Sequence, residues 1–492
     1  MNRPITGVLD QGVTNVEAPA TPAPTAWKSR VRHFLGAMLA GFIAMVSPLA
    51  PAADPPAAPA KSDAVALRET TLKLIQAVTN SDRGFQRLAY LCDTFGPRFS
   101  GSTNLEAAID WVLAEAKKDG LENVRGEEVM VPHWVRGEES LALVSPRPQS
   151  MRMTGLGGSI ATPADGIEAQ VLVVKSFADL KARADEAKGK IVLFNVPFTT
   201  YGGTVQYRYD GAFEAAKAGA VASLVRSVTP FSLQTPHTGA MRYQDGVPRI
   251  PHAAVTLEDA EMLQRMQDRG QRVVVRLKMD AATLPDAKSR DVIAEIPGRE
   301  KPEEIVVISG HIDSWDNSPG ALDDAGGVMA AWEAIRVMRE LGLHPRRTVR
   351  LILWANEENG LGGILGYRTN HLADLGRHVL AIESDLGVMK PEGFVCAMGD
   401  AALQQTVEMA KALDVIGAGT IKRGGAFGDL SPLLEKGVPC MELQTQNDIY
   451  FRYHHTGADT PDKVNPAELQ LCAAAIAVMA YSAAERPEPL PR

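Results

Sequence analysis

The spacing of apolar residues changes along the chain and divides it into parts with different predicted structure. In residues 64–125, LRETTLKLIQAV, GFQRLAYLCDTF and NLEAAIDWVLAEAKKDG carry apolar residues three and four positions apart, which predicts helices. From about 127 to 285, short β-type segments such as AQVLVV and KIVLFNV alternate with Gly and Pro turns, and only one or two stretches are helix-like. This block is predicted to be a separate β-rich module, inserted between helices and the α/β pattern that follows.

The pattern after residue 286 is regular. Three nearly unbroken apolar segments, EIVVIS (304–309), TVRLILWA (348–355) and HVLAIES (378–384), alternate with helical stretches. Such strands predict a parallel sheet that is covered by helices on both faces. We therefore expect an α/β fold in which residues 64–126 and 286–485 form one domain and residues 127–285 form an insert.

The N-terminal residues have the pattern of a secretory signal. A basic flank at 30–33 precedes the apolar run FLGAMLAGFIAMV (34–46) and the small-residue segment SPLAPA (47–52). The apolar run is shorter than the roughly 20 residues of a spanning helix, so a retained membrane anchor is the less favoured alternative. Residues 1–53 are predicted to be a lead and signal peptide, and the mature protein to be periplasmic or extracellular, without stable membrane insertion.

Composition and charge exclude several classes of protein. The 492 residues are 45% apolar and 22% charged, which excludes a chain disordered throughout. Lys and Arg number 51 against 59 Asp and Glu, a net charge of −8, and this balance argues against a nucleic-acid partner. The four cysteines include no CxxC pair, so a thiolate zinc site is not expected, and their spacing does not predict any disulfide pairing.

Polar residues of one chemical kind follow the predicted strands. The segments concerned are GHIDSWDNSPGALDDAGG (310–327), NEENGLGG (356–363), ESDLG (383–387) and YHHTGADT (453–460). Loops at the carboxyl ends of parallel strands meet at one edge of the sheet, where ligands bind. Histidine and carboxylate ligands without cysteine suit a catalytic zinc ion or a pair of zinc ions.

Each of these loops also has an ordinary structural explanation. Asp323 or Asp324 can cap the helix that begins near Ala325, and Asp429 is as well explained by a cap as by a place near the substrate. The two tryptophans that flank the loops, Trp315 and Trp354, are more typical of a core. The occurrence of ligand-type residues in four loops of the same edge is what favours a functional site.

The motifs resemble those of the zinc aminopeptidase family that uses two co-catalytic metals. HxD, PGAxDD, NEE, ESD and HTxxDT occur in that order, and GPRFSGSTNLEAAIDW, GHIDSWD and YHHTGADT are similar to the carboxypeptidase Q group. The likeness covers about residues 66–485. It implies a zinc-exopeptidase-type mixed, largely parallel sheet between helices, and it identifies the β-rich insert with the protease-associated domain of such peptidases.

The same resemblance implies roles for individual residues. It implies a site for two zinc ions per chain, with the ligands His311, Asp323, Glu358, Asp385 and His455. Asp323 would bridge both ions, and Asp313 would orient the ring of His311. Glu357 would be the general base that acts on a metal-bridged water. The choice of His455 over its neighbour follows the HTxxDT spacing, and His454 is expected to line the substrate cleft.

The function implied by the resemblance is a secreted exopeptidase that hydrolyses dipeptides or short peptides. The alternatives are an amidohydrolase acting on a non-peptide acyl-amino acid, an acyltransferase that cyclises N-terminal glutamine, and a non-catalytic binding protein. Five ligands and a base argue against the binding protein, and a full set for two metals argues against a transferase with one zinc. The terminus that the enzyme recognises and a homodimeric assembly are left open by the sequence.

Overall fold

The structure is a computed structural model that describes residues 63–425 and 428–492. The predicted signal peptide at 1–53 therefore lies outside the described residues. The helices are α1 Asp63–Thr79, α2 Arg83–Phe95, α3 Thr103–Lys118, α4 Phe177–Ala182, α5 Ala184–Ala187, α6 Tyr201–Thr204, α7 Gln206–Lys217, α8 Leu257–Asp268, α9 Gly326–Glu340, α10 Gly362–Asn370, α11 Asp400–Ala410, α12 Ser431–Leu434, α13 Tyr450–Tyr453 and α14 Pro466–Glu485. The strands are β1 Glu122–Val135, β2 Glu139–Ser145, β3 Gln149–Met151, β4 Met153–Gly155, β5 Ile167–Val174, β6 Ile191–Phe194, β7 Ala222–Arg226, β8 His252–Val255, β9 Val274–Met279, β10 Ala282–Ile296, β11 Lys301–His311, β12 Arg347–Trp354, β13 His378–Glu383, β14 Pro391–Ala397, β15 Thr420–Arg423 and β16 Cys440–Thr445.

The first sheet has eight strands in the order β1-β10-β12-β11-β13-β16-β14-β15. Its centre is parallel, since β11 pairs in parallel with β12 and β13, and β13 pairs in parallel with β16. The pairs β1–β10, β10–β12 and β14–β16 are antiparallel, so the sheet as a whole is mixed. The three strands predicted from the apolar segments are confirmed, and their carboxyl ends lie at one edge.

Helices cover both faces of this sheet, as the apolar strands predict. One face packs against a large core formed with α1, α2, α3, α9 and α14, and the other packs against α10 and α12. Among the described residues α14 alone is long and apolar enough to cross a membrane, with a mean hydropathy of 1.4. Because 83% of its apolar window is buried inside the protein, α14 is the central helix of the core.

A second eight-stranded sheet occupies most of residues 139–279, in the order β3-β2-β9-β5-β6-β7-β8-β4. Strands β5 to β8 are parallel, and two full helices, α7 and α8, pack on this sheet with the shorter α4 and α5. The chain enters and leaves along β1 and β10, which pair antiparallel over most of their length. The positions 127 and 285 lie inside these two strands, and a domain boundary at either remains a prediction.

The two sheets contact each other through an aromatic cluster. Phe99 stacks on Trp315 with ring centroids 4.8 Å apart, and Trp134 completes the group. The loop of the second sheet approaches so closely that a Cβ at Gly157 would lie 2.1 Å from the Trp315 ring. Trp315 and Trp354 are both buried, as expected of core residues. The four cysteines are free and buried.

Candidate active site

The strand ends bring the predicted site residues to one place. His311 is the last residue of β11, Glu357 and Glu358 follow β12, and Asp385 follows β13. Asp323 lies in the turn that leads from β11 into α9. His455 comes from the segment before α14, where it has a positive φ of 63°. The parallel centre of the sheet explains why residues so far apart in sequence converge.

Two groups of ligand-type atoms share Asp323. In the first group, His311 Nε2 lies 3.2 Å from Asp323 Oδ1 and 3.3 Å from Asp385 Oδ1. In the second group, His455 Nε2 lies 3.3 Å from Asp323 Oδ2 and 3.1 Å from Glu358 Oε2. The two oxygens of Asp323 therefore face different groups, which is the arrangement that a bridging carboxylate needs.

These distances fit metal coordination. Two atoms that each lie about 2.0–2.1 Å from a tetrahedral zinc ion are about 3.3 Å apart. Asp323 Oδ2 is buried and accepts no hydrogen bond, which is costly for a carboxylate unless a cation faces it. Burial opposes the ionisation of Asp323, but the hydrogen bond with His311 and the adjacent rings of His455 and His454 hold its pKa well below its usual range. The bridging carboxylate is thus kept in its anionic, ligating form.

Asp313 holds three parts of the site together. Its carboxylate accepts hydrogen bonds from the backbone N–H groups of Glu357 at 3.1 Å and Glu358 at 3.4 Å. Its carbonyl oxygen lies 3.1 Å from His311 Nδ1, whereas its nearest carboxylate oxygen lies 3.6 Å from that nitrogen. Asp313 is thus in place to orient both the histidine ring and the loop that carries the two glutamates.

Two more aspartates fix the turn that contains Asp323. Asp459 accepts hydrogen bonds from the backbone N–H groups of Leu322 at 2.8 Å and Asp323 at 3.1 Å. Asp324 accepts from the N–H of His311 and from the N–H of Gly327 in the first turn of α9, both at 3.0 Å. Of the two adjacent aspartates, Asp324 is therefore the one with the role of a helix cap.

Glu357 lies beside the two groups, in the wall of a cleft of about 380 Å³ that also reaches Glu358 and Asp385. Burial, together with the charge of Asp385, raises the pKa of Glu357 well above its usual range. A raised pKa suits a carboxylate that must first accept a proton and then release it. The adjacent Glu358 faces His455 instead, so the two glutamates have different surroundings.

His454 lines the same cleft and stacks on His455 with ring centroids 3.5 Å apart. Its Nε2 lies 3.5 Å from Asp323 Oδ2. His455 is better placed as a ligand, because its Nε2 has two carboxylates within 3.3 Å. The Nε2 of His454 has one such neighbour, the carboxylate of Asp323, at the longer distance of 3.5 Å.

The second sheet contributes residues that the sequence did not reveal. Thr238 donates its N–H to the carbonyl of His455 at 3.0 Å, and its own carbonyl lies 3.2 Å from His455 Nδ1. His237 Nδ1 lies 2.7 Å from the carbonyl of His454. The pair of histidines is thus clamped by residues more than two hundred positions earlier in the chain. No local pattern of apolar or polar residues signals such a contact.

Three further carboxylates near the cleft were not assigned from the sequence. Glu442 of β16 lines the cleft, and burial, with the charge of Asp385, raises its pKa to about 8. Glu383 is its direct neighbour on β13. Asp429 is buried, and within the described residues neither of its carboxylate oxygens has a hydrogen-bond partner. The strand-end rule that found Asp385 applies equally to Glu383 and Glu442.

Comparison with known proteins agrees with this geometry. The model of peptidase family M28 matches residues 291–480. Carboxypeptidase Q of Bos taurus is 47% identical over 411 residues, which cover 84% of this chain and 87% of the relative. Carboxypeptidase Q of Homo sapiens is 46% identical over the same length. The chain belongs to peptidase family M28. It is therefore a peptidase, and its substrates are peptides.

Solved structures show the same fold. A peptidase M28 precursor from Shewanella amazonensis SB2B is 35% identical, with a TM-score of 0.84, and the match covers 87% of this chain and 99% of that one. BSAP, a zinc aminopeptidase from Bacillus subtilis, is 21% identical with a TM-score of 0.63, over 83% of this chain and 96% of that one. The predicted α/β fold of a zinc-exopeptidase type is confirmed.

Proposed function

We propose that this M28 peptidase is a dizinc exopeptidase that hydrolyses dipeptides or short peptides. The observation that carries the proposal is the position of Asp323, whose two oxygens face separate groups of ligand-type atoms. A single tetrahedral zinc ion would leave one of these groups without a cation. A pair of zinc ions would satisfy both.

The proposed ligands divide between the two positions. His311 and Asp385 would hold one zinc ion, Glu358 and His455 would hold the other, and Asp323 would contribute to both. This division follows the contacts of 3.1–3.3 Å between the atoms of each group. Bound zinc would polarise the scissile carbonyl and lower the pKa of the attacking water to about 7.

The proton transfer is assigned to Glu357. Its carboxylate takes a proton from the attacking water and then donates it to the nitrogen of the leaving amine. The raised pKa of this buried group makes its carboxylate a stronger base and so favours the first transfer. Asp313 keeps the base in place by accepting the backbone N–H of Glu357 at 3.1 Å. The stacked ring of His454 forms part of the wall that the substrate contacts.

Export belongs to the same proposal. It is supported by the order of basic, apolar and small residues at 30–52, which is typical of a secretory signal. Sequencing the mature N-terminus from a secreting host should show that the protein begins between about 51 and 66, just after the small-residue segment. Recovery of the intact N-terminus in a membrane fraction would contradict export.

The catalytic proposal is tested by comparing wild type with Glu357→Gln on a panel of dipeptides. Glutamine keeps the shape of the side chain but cannot accept the proton, so turnover should fall by about 10²–10⁴-fold while zinc content stays unchanged. A chelator should abolish wild-type turnover, and added zinc should restore it. Wild-type turnover in Glu357→Gln, or no hydrolysis of any dipeptide by the zinc-loaded wild type, would overturn the proposal.

A further inference from the structure

The segment GPRFSGS (96–102), which joins α2 to α3, contacts both loops that carry the histidine, aspartate and glutamate ligands after β11 and β12. Two of its residues, Arg98 and Ser100, are 0% and 1% exposed. Among the described residues that line the cleft, none belongs to this segment. The segment therefore lies outside the space that a substrate occupies, and it can act on the reaction only through the two loops.

Arg98 holds the loop between His311 and Asp323 at two points. Its Nε donates to the carbonyl of Ile312 at 2.8 Å, and its Nη1 donates to the carbonyl of Pro319 at 2.6 Å. Ile312 directly follows the first of these ligands, and Pro319 lies four residues before the second. Because Nε and Nη1 belong to one rigid, planar group, the two carbonyl oxygens are kept at a fixed separation.

The backbone of the segment pairs with the same loop. The N–H of Arg98 donates to Ser314 Oγ at 3.0 Å, and the carbonyl of Arg98 accepts from the N–H of Ser314 at 3.3 Å. The next residue, Phe99, stacks on Trp315 with ring centroids 4.8 Å apart. All four residues are buried. The loop is therefore held along its length as well as near its two ends.

The segment also supports the loop that carries the two glutamates. Ser100 Oγ accepts from Asn356 Nδ2 at 2.9 Å, and Asn356 Oδ1 accepts from the N–H of Gly362 at 3.0 Å. Asn356 directly precedes Glu357 and has a φ of 70°, in the left-handed region. Asparagine adopts this region because its short polar side chain can form local hydrogen bonds. The path of the chain from β12 to the glutamates therefore depends in part on Ser100.

We propose that Arg98 and Ser100 are positioning residues of the metal site, which hold the two ligand loops in the shape that binds a pair of metal ions. The inference rests on the proposed dizinc peptidase function and adds residues that act without touching substrate or metal. The acceptors of the guanidinium are backbone carbonyls, so its planar fork matters as well as its charge. Since a misplacement of about 1 Å can cost about 10²-fold in rate, losing this support should slow the chemical step.

The first test is Arg98→Lys, which replaces the fork with a single ammonium group that cannot hold both carbonyls at this separation. On folded, zinc-saturated protein, kcat for a dipeptide should fall by about 10-fold to 100-fold. KM should change little, because the segment lies outside the cleft. Wild-type kcat in Arg98→Lys, or a rise in KM without a fall in kcat, would overturn the proposal.

Arg347→Lys is the matched control. Arg347 is also fully buried and donates to the backbone carbonyls of Arg486 and Pro487. It is the first residue of β12, at the opposite end of that strand from the glutamate loop. Both variants should unfold at a lower urea concentration than wild type, but only Arg98→Lys should lose kcat. Equal losses of kcat in the two variants would make Arg98 a residue of the core alone and overturn the proposal.

The visible spectrum of the cobalt-loaded protein provides a readout independent of turnover. Cobalt(II) accepts the same nitrogen and oxygen ligands as zinc, and its absorption reports the geometry of those ligands. The spectrum of Arg98→Lys should differ from that of wild type in position and intensity, and the spectrum of Arg347→Lys should not. Identical spectra for Arg98→Lys and wild type at full loading would contradict a positioning role.

Ser100→Ala provides a second variant in case Arg98→Lys does not fold, since it removes a single hydroxyl. It should lower kcat by about 3-fold to 10-fold, as expected for one hydrogen bond. An unchanged kcat and an unchanged cobalt spectrum in Ser100→Ala would count against the proposal. If zinc-loaded wild type hydrolyses no dipeptide, the peptidase proposal itself fails, whereas the cobalt spectra still decide whether the segment positions the ligands.

Discussion

At the scale of single residues, Asp459 fixes the shape of the turn that carries the candidate ligand Asp323. Its two carboxylate oxygens hold the consecutive N–H groups of Leu322 and Asp323. All three residues are buried, so removing the carboxylate would leave two N–H groups inside the protein without their acceptors. The bridging position of Asp323 therefore depends on a side chain more than a hundred residues later.

The variant Asp459→Ala should lower both stability and zinc affinity. Each of the two buried N–H groups left without an acceptor costs about 1–3 kcal/mol. Thermal unfolding with and without zinc, together with zinc titration, measures the two effects. The control is Asp462→Ala in the same segment, whose side chain is 71% exposed and paired with Lys463. Wild-type unfolding and zinc affinity in Asp459→Ala would show that the turn holds its shape without this carboxylate.

Residue roles were only partly predictable from the sequence. The motif order distinguished Asp323 from Asp324, whereas helix-capping preference alone did not, since either aspartate can accept from the first turn of α9. The structure separates them by their partners: Asp324 accepts from Gly327, and Asp323 faces the two histidines. The contact of Arg98 with Pro319 has no local signal in the sequence, because it spans 221 residues.

At the scale of elements, the close approach of β11, α9 and the end of β13 fixes the geometry of the site. Gly327 in the first turn of α9 is the point of closest approach. A Cβ at this position would lie 1.9 Å from the backbone oxygen of Ser384 and 2.4 Å from Asp324 Oδ1. Neither atom belongs to a side chain that can swing freely away, so the helix itself must move.

Gly327→Ala should therefore lower the free energy of unfolding by about 1–3 kcal/mol and weaken zinc binding. Urea unfolding and zinc titration of the purified variant provide the measurements. The matched control is Gly376→Ala, because a Cβ at Gly376 meets no atom within 4 Å. This control should stay within about 0.5 kcal/mol of wild type. If both variants behave alike, the close approach of α9 to Ser384 does not constrain the site.

The elements that were predicted from the sequence are those with the clearest apolar pattern. Strands β11, β12 and β13 each contain a nearly unbroken apolar segment, and helices α1 to α3 have regular helical spacing. Strand β16 was missed, because CMELQT places the acidic Glu442 among its apolar residues. That glutamate lies at the cleft, and its burial there departs from the rule that strand interiors are apolar.

At the scale of the whole molecule, buried histidines outside the active site make stability depend on pH. His378 is buried in the core of the first sheet, where Tyr367 Oη lies 2.7 Å from its Nε2 and its Nδ1 lies 3.1 Å from the carbonyl of Asp374. Burial lowers the pKa of His378 from 6.5 to about 4. The folded protein therefore keeps this ring neutral at a pH where the unfolded chain binds a proton.

The sign of the effect follows from this difference in proton binding. Between pH 6.5 and about 4 the unfolded state binds more protons, so the contribution of His378 to stability is lost as pH falls through that window. Since one pKa unit corresponds to about 1.4 kcal/mol, the full loss is about 3 kcal/mol. The stability difference between wild type and His378→Gln, measured by urea unfolding, should shift by that amount between pH 7 and pH 4. A difference that does not change with pH would contradict the buried neutral ring.

The joining of the two sheets lay beyond what the sequence could predict. Apolar patterning identified a change of texture near residues 127 and 285, but the contacts between Thr238 and His455 depend on the tertiary arrangement. The position of the candidate metal ligand His455 therefore depends on its contacts with Thr238, which lies in a loop of the second sheet. Both sheets are therefore needed for the candidate site to be complete.

The central claim is that Asp323 joins two zinc positions, and zinc content per chain tests it most directly. Wild type purified under zinc-replete conditions should contain close to two zinc ions per chain, and Asp323→Ala should lose both, because each group of ligands would lack one carboxylate. Glu358→Gln should lose one ion, since its amide is a weaker ligand at a single position. A wild-type content of one zinc ion, or two ions retained in Asp323→Ala, would contradict the shared carboxylate.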